Sequence, residues 1–241
     1  MDSVTRVHAG ELFSVSSTPL NPLPSAMNSQ VTLVDSAALQ PEQGLASTLL
    51  YFDVDNVHNA TLSSPGGSAS YIIESSPHAT RTTVSRTTRS GLAPVVVGLI
   101  KRNNIIPDKI TLEDGSSRHI SEWLKTGQFS HRPSARAEMH VKGHKYIWTI
   151  NPAGQLCMYA AEDETTPLAW VNRSRTQAVK GQTIVTPAVL ALQKEVDNLR
   201  DEVVIAMTIL EHKRRMSEKM TQVLISTSYS GQGCHPGGPV V

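Results

Sequence analysis

His140 and His144 lie four residues apart, a spacing that on a helix places two imidazoles on one face and suits a metal ion. Here the surrounding MHVKGHKYI reads as a hairpin turning at Lys142-Gly143, and across a tight turn that spacing guarantees no shared face. Neither cysteine, Cys157 or Cys234, stands in a CxxC motif or a Cys/His cluster, so neither a zinc site nor a disulfide scaffold is expected. A serine nucleophile needs a base and an orienting group, and the strained elbow GxSxG that presents such a serine does not occur. Gly66-Gly67 lacks the lysine and following helix of a phosphate loop, and GxGxxG is absent. The expectation is a protein that is not an enzyme and has no catalytic residues, no metal and no cofactor.

Cations offer more. Arg81, Arg86, Arg89, Lys101, Arg102, Lys142 and Lys145 all fall on expected strands or at their ends, and residues 48 to 175 hold 14 Lys or Arg against 11 Asp or Glu. A local excess of that size can bind an anion through charge-assisted hydrogen bonds. Over the whole chain the 22 Lys or Arg and 21 Asp or Glu leave a net charge of only +1, which argues against duplex nucleic acid as a partner.

Those residues must be held by a sheet. Short apolar or alternating segments recur between turn formers from Leu49 to Val171: Leu49–Val54, Thr61–Ser64, Ser70–Glu74, Arg81–Thr88, Pro94–Lys101, Lys109–Leu112, Arg118–Ile120, Ala137–Val141, Lys145–Ile150, Gln155–Ala160 and Leu168–Val171. Eight to ten of these segments are expected to pair as strands, a density that suits an antiparallel sandwich or barrel, with PVVVGLIK buried on both faces and Trp123, Trp148 and Trp170 as core anchors. Residues 1–46, rich in Ser, Pro, Asn and Gln, read as a disordered arm, and 221–241 as a disordered tail. The domain is therefore expected over 47–220. Met1 to Gly10 carries no apolar core of a secretory signal, which points to the cytoplasm, with the nucleus as the alternative. The eight-residue apolar run Val203–Leu210 falls well short of the roughly 20 residues of a membrane span.

After Arg173 the pattern changes. Thr186 suits an N-cap, Pro187 suits the first helical position, and neither Pro nor Gly returns before Gly231, so one helix is expected from about 187 to 220. Val189, Leu192, Val196 and Leu199 form a narrow seam on its first half, which could recruit a partner or a second copy of the chain. Val203, Val204, Ile205, Ala206, Met207, Ile209 and Leu210 point all round the second half, and a helix apolar on every side must be enclosed.

A many-stranded sheet with such a helix resembles the barrel group of the Tubby C-terminal, LURP-one-related and phospholipid scramblase proteins. The stretches NATLSSPGGSASYIIES, TRTTVSR, VVVGLIKR, ITLEDGSSRHISEWL, GHKYIWTI and DEVVIAMTILEHKRR, in that order, are also similar to a basidiomycete family known as domain of unknown function 6593. The pair Lys101-Arg102 stands where that family often carries an aromatic residue. The resemblance implies a closed antiparallel barrel around a helix at roughly 200 to 215, and it makes a phosphoinositide or other anionic lipid headgroup the expected ligand of the seven cations. It brings no catalytic residues. The fold expectation has its own test: Ile205→Asp puts an uncompensated charge in the packed interior and is expected to cost several kcal/mol in urea denaturation.

Overall fold

The computed structural model describes residues 32–33, 46–65, 70–87, 93–103, 105–127, 135–179 and 181–230. In chain order these form β1 (Thr32–Leu33), β2 (Thr48–Phe52), β3 (Asn59–Ser63), β4 (Ser70–Ser75), β5 (Arg81–Thr87), β6 (Val95–Lys101), β7 (Lys109–Leu112) and β8 (Ser117–His119). A single helical turn, α1 (Ile120–Trp123), leads to β9 (Leu124–Lys125), β10 (Arg136–Val141), β11 (His144–Ile150), β12 (Leu156–Ala160) and β13 (Ala169–Asn172). Then come β14 (Arg175–Val179), β15 (Gln182–Thr186), β16 (Val189–Leu192), a 3-10 segment at Lys194–Leu199 and the long helix α2 (Arg200–Ser230).

Among the described residues, thirteen strands make one antiparallel sheet in the order β8-β7-β6-β5-β4-β3-β2-β16-β13-β12-β11-β10-β9. Its two edge strands, β8 and β9, are neighbours in the chain, joined by α1, and they do not pair with each other. The sheet therefore curls round until its edges are one helical turn apart. It is not a barrel closed by hydrogen bonds, which corrects the expectation of a closed Tubby-like barrel. A β8–β9 ladder does not form because Ile120 and Trp123, both buried, take the chain across the gap as a helical turn instead.

The curled sheet has one occupant. On α2 every residue from Val203 to Glu211 is buried, and Thr208 satisfies its hydroxyl by donating to the Val204 carbonyl at 2.8 Å. All three tryptophans are buried, as expected of core anchors. Val95 and Val96 are exposed, so β6 is enclosed only beyond them, against the reading of PVVVGLIK as buried on both faces.

The helix does not begin at Pro187. Val189–Leu192 is a strand in the middle of the sheet, paired with β13 and β2, and all four of its residues are buried. Four consecutive apolar residues fit a strand covered on both faces as well as they fit a helical seam. Val196 and Leu199, the rest of the seam, share a face because the 3-10 segment brings i and i+3 into line, and both are buried. The seam at 189–199 is thus part of the core and offers no face to a partner chain. At the other end α2 runs past 220 to Ser230, with Met216 and Met220 exposed, so part of the segment expected as a disordered tail is helical. Part of the expected N-terminal arm, β1, pairs in parallel with β15 in a separate three-stranded sheet with β14. Arm residues 1–31 and 34–45, and tail residues 231–241, lie outside the described residues.

Gly98 on β6 is where sheet and helix approach most closely: a Cβ there would sit 2.6 Å from Ile205 Cδ1 and 2.8 Å from Cγ1. Ile205 is itself fully buried, so an added methyl group must displace a packed side chain. Gly98→Ala is expected to destabilise the protein by about 1–3 kcal/mol in urea denaturation, with part of the loss recovered in the Gly98→Ala/Ile205→Val double variant. Strict additivity of the two substitutions would show that the contact is not the cause.

Candidate functional site

Antiparallel connectivity sorts the loops into two ends. At the entry end the 3-10 segment turns the chain into α2, and Lys142 Nζ donates to the Asn198 carbonyl at 3.0 Å. At the exit end α2 leaves the sheet past Asp55, Thr126 and Gly154, which accept hydrogen bonds from Arg215, Lys213 and Arg214 respectively.

The seven cations singled out above divide between these ends and do not make one face. Arg86, Lys142 and Lys145 belong to the entry end, and each has a partner: Asp201 and Glu113 for Arg86, Asn198 for Lys142, and Glu138 at 2.9 Å for Lys145. Arg89 lies outside the described residues. Arg81, Lys101 and Arg102 are at the exit end. Arg102 is committed to structure, its guanidinium donating to the Ala79 carbonyl and the Thr82 hydroxyl.

Arg81 and Lys101 are direct cross-strand partners, and Lys101 is in turn the direct partner of Lys109 on β7, which pairs with His119 on β8. The intervening positions Thr82, Ile100 and Ile110 are buried, so strand alternation turns Arg81, Lys101 and Lys109 outward together. Among the described residues none of the three makes an ion pair. Like charges placed directly opposite one another on a sheet are destabilising, so this row carries a cost that stability alone does not explain. Beside it on the same face run Thr83, Leu99, Thr111 and Ser117, a second register row with three hydroxyls.

Above the row stands the β6–β7 loop, whose tip presents Ile105, 97% exposed, and Ile106, 60% exposed. Lys101 and Lys109 close the base of this loop. Sequence reasoning passed over Lys109 and both isoleucines. The signal was available as two aliphatic residues between Asn103-Asn104 and Pro107-Asp108, in a loop too short to fold back onto a core.

Around the emerging helix lies a cleft of ≈ 630 Å³ lined by Asp55, His58, Arg173, His212, Arg215 and Lys219 among others. His212 Nδ1 and His58 Nε2 are 3.2 Å apart, one ring donating and the other accepting according to tautomer, and the rings meet edge to face. Burial, then the nearby Arg102, lowers the His212 pKa to about 4, and burial, Arg102 and Lys219 lower that of His58. Beneath them Glu211, 1% exposed, is held by Arg173, Arg214 and Arg215. Glu218 accepts from Arg173 and Arg214, and Asp55 from Arg215 and the Ser174 hydroxyl. Burial opposes ionisation of Asp55, but the bonds from Arg215 and Ser174 outweigh it and hold its pKa below the ordinary value.

The entry end is different in sign. Asp201 in the first turn of α2 accepts from the Tyr71 hydroxyl at 2.6 Å and from Arg86, pinning the helix start to β4 and β5. Burial and Asp201 push the Tyr71 pKa upward, so its proton stays on the phenol. Two adjoining clefts of ≈ 340 and ≈ 540 Å³ share Glu113, Asp201 and Glu202 in their lining. His140 and His144 do not meet on one site: strand alternation puts His140 opposite Lys145, and His144 opposite Val141. Among the described residues no group of three His, Cys, Asp or Glu could hold a metal ion, and no helix is long and apolar enough to cross a membrane.

Compared with known proteins, residues 55–216 match the model of a family of unknown function, DUF6593. The match begins and ends at the exit end, taking in β3 to β16 and the enclosed part of α2. A search of curated proteins found none that matches.

The histidine pair gives the fold an acid limit. Unfolded imidazoles ionise near 6.5 whereas folded His212 ionises near 4, so between those values the unfolded state binds more protons and stability falls as pH falls. After screening by solvent the effect is roughly 1 kcal/mol. The urea midpoint is expected to drop between about pH 6.5 and 4.5, and to drop less in a His58→Gln/His212→Gln variant. Equal slopes in the two proteins would assign the acid sensitivity elsewhere.

Proposed function

Because the chain belongs to the DUF6593 family, for which no function is established, we propose from its own geometry that it is a non-enzymatic module docking peripherally on anionic membranes through its exit end. The observation that carries this reading is the β6–β7 loop: two exposed isoleucines at the tip, with Arg81, Lys101 and Lys109 in one outward row at its base. Aliphatic side chains that insert at the headgroup boundary gain apolar burial, while cations just behind them meet lipid phosphates, each worth about 1 kcal/mol near an anionic surface. Exposed Met216 and Met220 on the emerging helix add apolar surface at the same end.

The set of seven cations narrows under this reading to Arg81 and Lys101, joined by Lys109, since Arg86, Lys142 and Lys145 sit at the entry end with partners of their own. Likeness to the Tubby-like group belongs to the same proposal, supported by an apolar helix wrapped in a curled antiparallel sheet. A protein that docks on the cytoplasmic leaflet, with its phosphatidylserine and phosphoinositides, would be cytoplasmic and need no nucleic acid partner.

The test is co-sedimentation of the full chain with vesicles of phosphatidylcholine alone and with phosphatidylserine or a phosphoinositide added, at two salt concentrations. Salt-sensitive binding to the anionic vesicles is expected, weakened at least about tenfold by Ile105→Ser/Ile106→Ser and by Lys101→Glu/Lys109→Glu. Lys145→Glu at the opposite end is expected to leave it unchanged. Absence of binding to every anionic vesicle, or an equal loss with Lys145→Glu, would overturn the proposal.

A further inference from the structure

The cleft beside the emerging helix carries an inference that does not depend on membrane docking. Its two carboxylates are already engaged, Asp55 by Arg215 and Ser174, Glu218 by Arg173 and Arg214. Its cations are not all answered. Lys219 makes no ion pair among the described residues, and Arg173 Nη2 is buried without a hydrogen-bond acceptor. The histidine pair uses one nitrogen of each ring in the 3.2 Å contact, so of the outer nitrogens, His58 Nδ1 and His212 Nε2, one carries a proton and the other a lone pair until the pair takes up a further proton.

We propose that this cleft binds a phosphate monoester, held by Lys219, the Arg173 guanidinium and the paired imidazoles of His58 and His212. A tetrahedral dianion offers three acceptor oxygens to donors that converge from a β-loop, the end of β13 and two turns of α2. The volume of ≈ 630 Å³ leaves room for the esterified group as well as the phosphate.

The charges around the rings select the sign of the ligand. Beyond hydrogen-bond range His58 feels Arg102, Lys219 and Arg215, and His212 feels Arg102, Lys213 and Lys219. From the β6–β7 loop Asp108 acts on Lys213, and from α2 itself Glu211 is spent on three arginines. A divalent cation would meet this same positive field, and it would lack a third ligand, so the two imidazoles are poorly placed to hold metal despite their spacing. An arriving dianion instead cancels the field. It should raise the affinity of the imidazoles for protons, so binding and proton uptake are linked.

Titration of the intact protein with inorganic phosphate, followed by the ring-proton signals of His58 and His212, tests this directly. Saturable binding near or below about 1 mM at about pH 7.5 is expected, with both histidine pKa values rising on saturation. Lys219→Glu is expected to weaken it at least about tenfold, whereas Lys101→Glu, on the outward row, is expected to change it little. Phosphatidic acid vesicles compared with phosphatidylserine vesicles of equal charge then identify the source. A preference for phosphatidic acid that free phosphate abolishes assigns the site to a lipid headgroup, and phosphate binding without that preference assigns it to a soluble ester. Histidine signals that ignore phosphate, binding equally weakened by Lys101→Glu, or saturation of the pair by Zn²⁺ would overturn the proposal. Loss of vesicle docking in Ile105→Ser/Ile106→Ser with phosphate binding intact separates this site from the loop-tip reading.

Discussion

The structure depends on one constraint: the segment from Val203 to Leu210 is apolar around its whole circumference and cannot stand in water. A flat sheet covers one side of a helix. Enclosing this one takes strands on every side, and the chain supplies them as a single antiparallel sheet whose edges come back to within α1 of each other. Gly98 shows how tightly the two are fitted, since even a methyl group on β6 would collide with Ile205. The gap between β8 and β9 is tolerable for the same reason, because Ile120 and Trp123 plug it with buried side chains where a ladder would have supplied backbone bonds.

Enclosure also dictates the chemistry of the two ends. A helix passing from an apolar interior to solvent must satisfy its polar residues at the boundary. At the entry Asp201 meets Tyr71 and Arg86, and at the exit Glu211, Arg214 and Arg215 meet Arg173 and Asp55. Buried ion pairs recover little net stability after desolvation, but removing one member strands the others at large cost. Their effect is to fix the helix along its axis, and with it the register of everything that projects from the exit.

How much of this was legible in the sequence depended on the range of the information. Local signals were readable: the hairpins around Glu113-Asp114-Gly115 and Asn151-Pro152-Ala153-Gly154, the three tryptophan anchors and the enclosed helix all follow from residue type and short spacing. The hairpin of β14 and β15 was missed although RTQAV and QTIVT stand only two residues apart in the sequence and the second of those, Gly181, has φ +79°. Val189–Leu192 was misread because a run of four apolar residues has no period to distinguish strand from helix, and the preceding Thr-Pro pair happened to suit a cap. The candidate sites were less accessible still. His58 and His212 are 154 residues apart in sequence, and the row Arg81, Lys101, Lys109 exists only once three strands are in register.

Register explains why the cations of greatest interest are not those that looked clustered in the sequence. Lys142 and Lys145 are close along the chain but point to an end of the molecule where carbonyl and carboxylate partners await them. Arg81, Lys101 and Lys109 are spread over three strands and the two connections between them yet stand side by side, with no ion pair among the described residues. A sheet that needed only stability would set acid against base, as β10 and β11 do on the diagonal with Glu138 and Lys145. The outward row, the cations around the histidine pair and the exposed isoleucines all lie where α2 leaves the sheet. The position of that end is itself set by the length of helix that had to be hidden, so the enclosure that stabilises the fold also determines which loops share a surface.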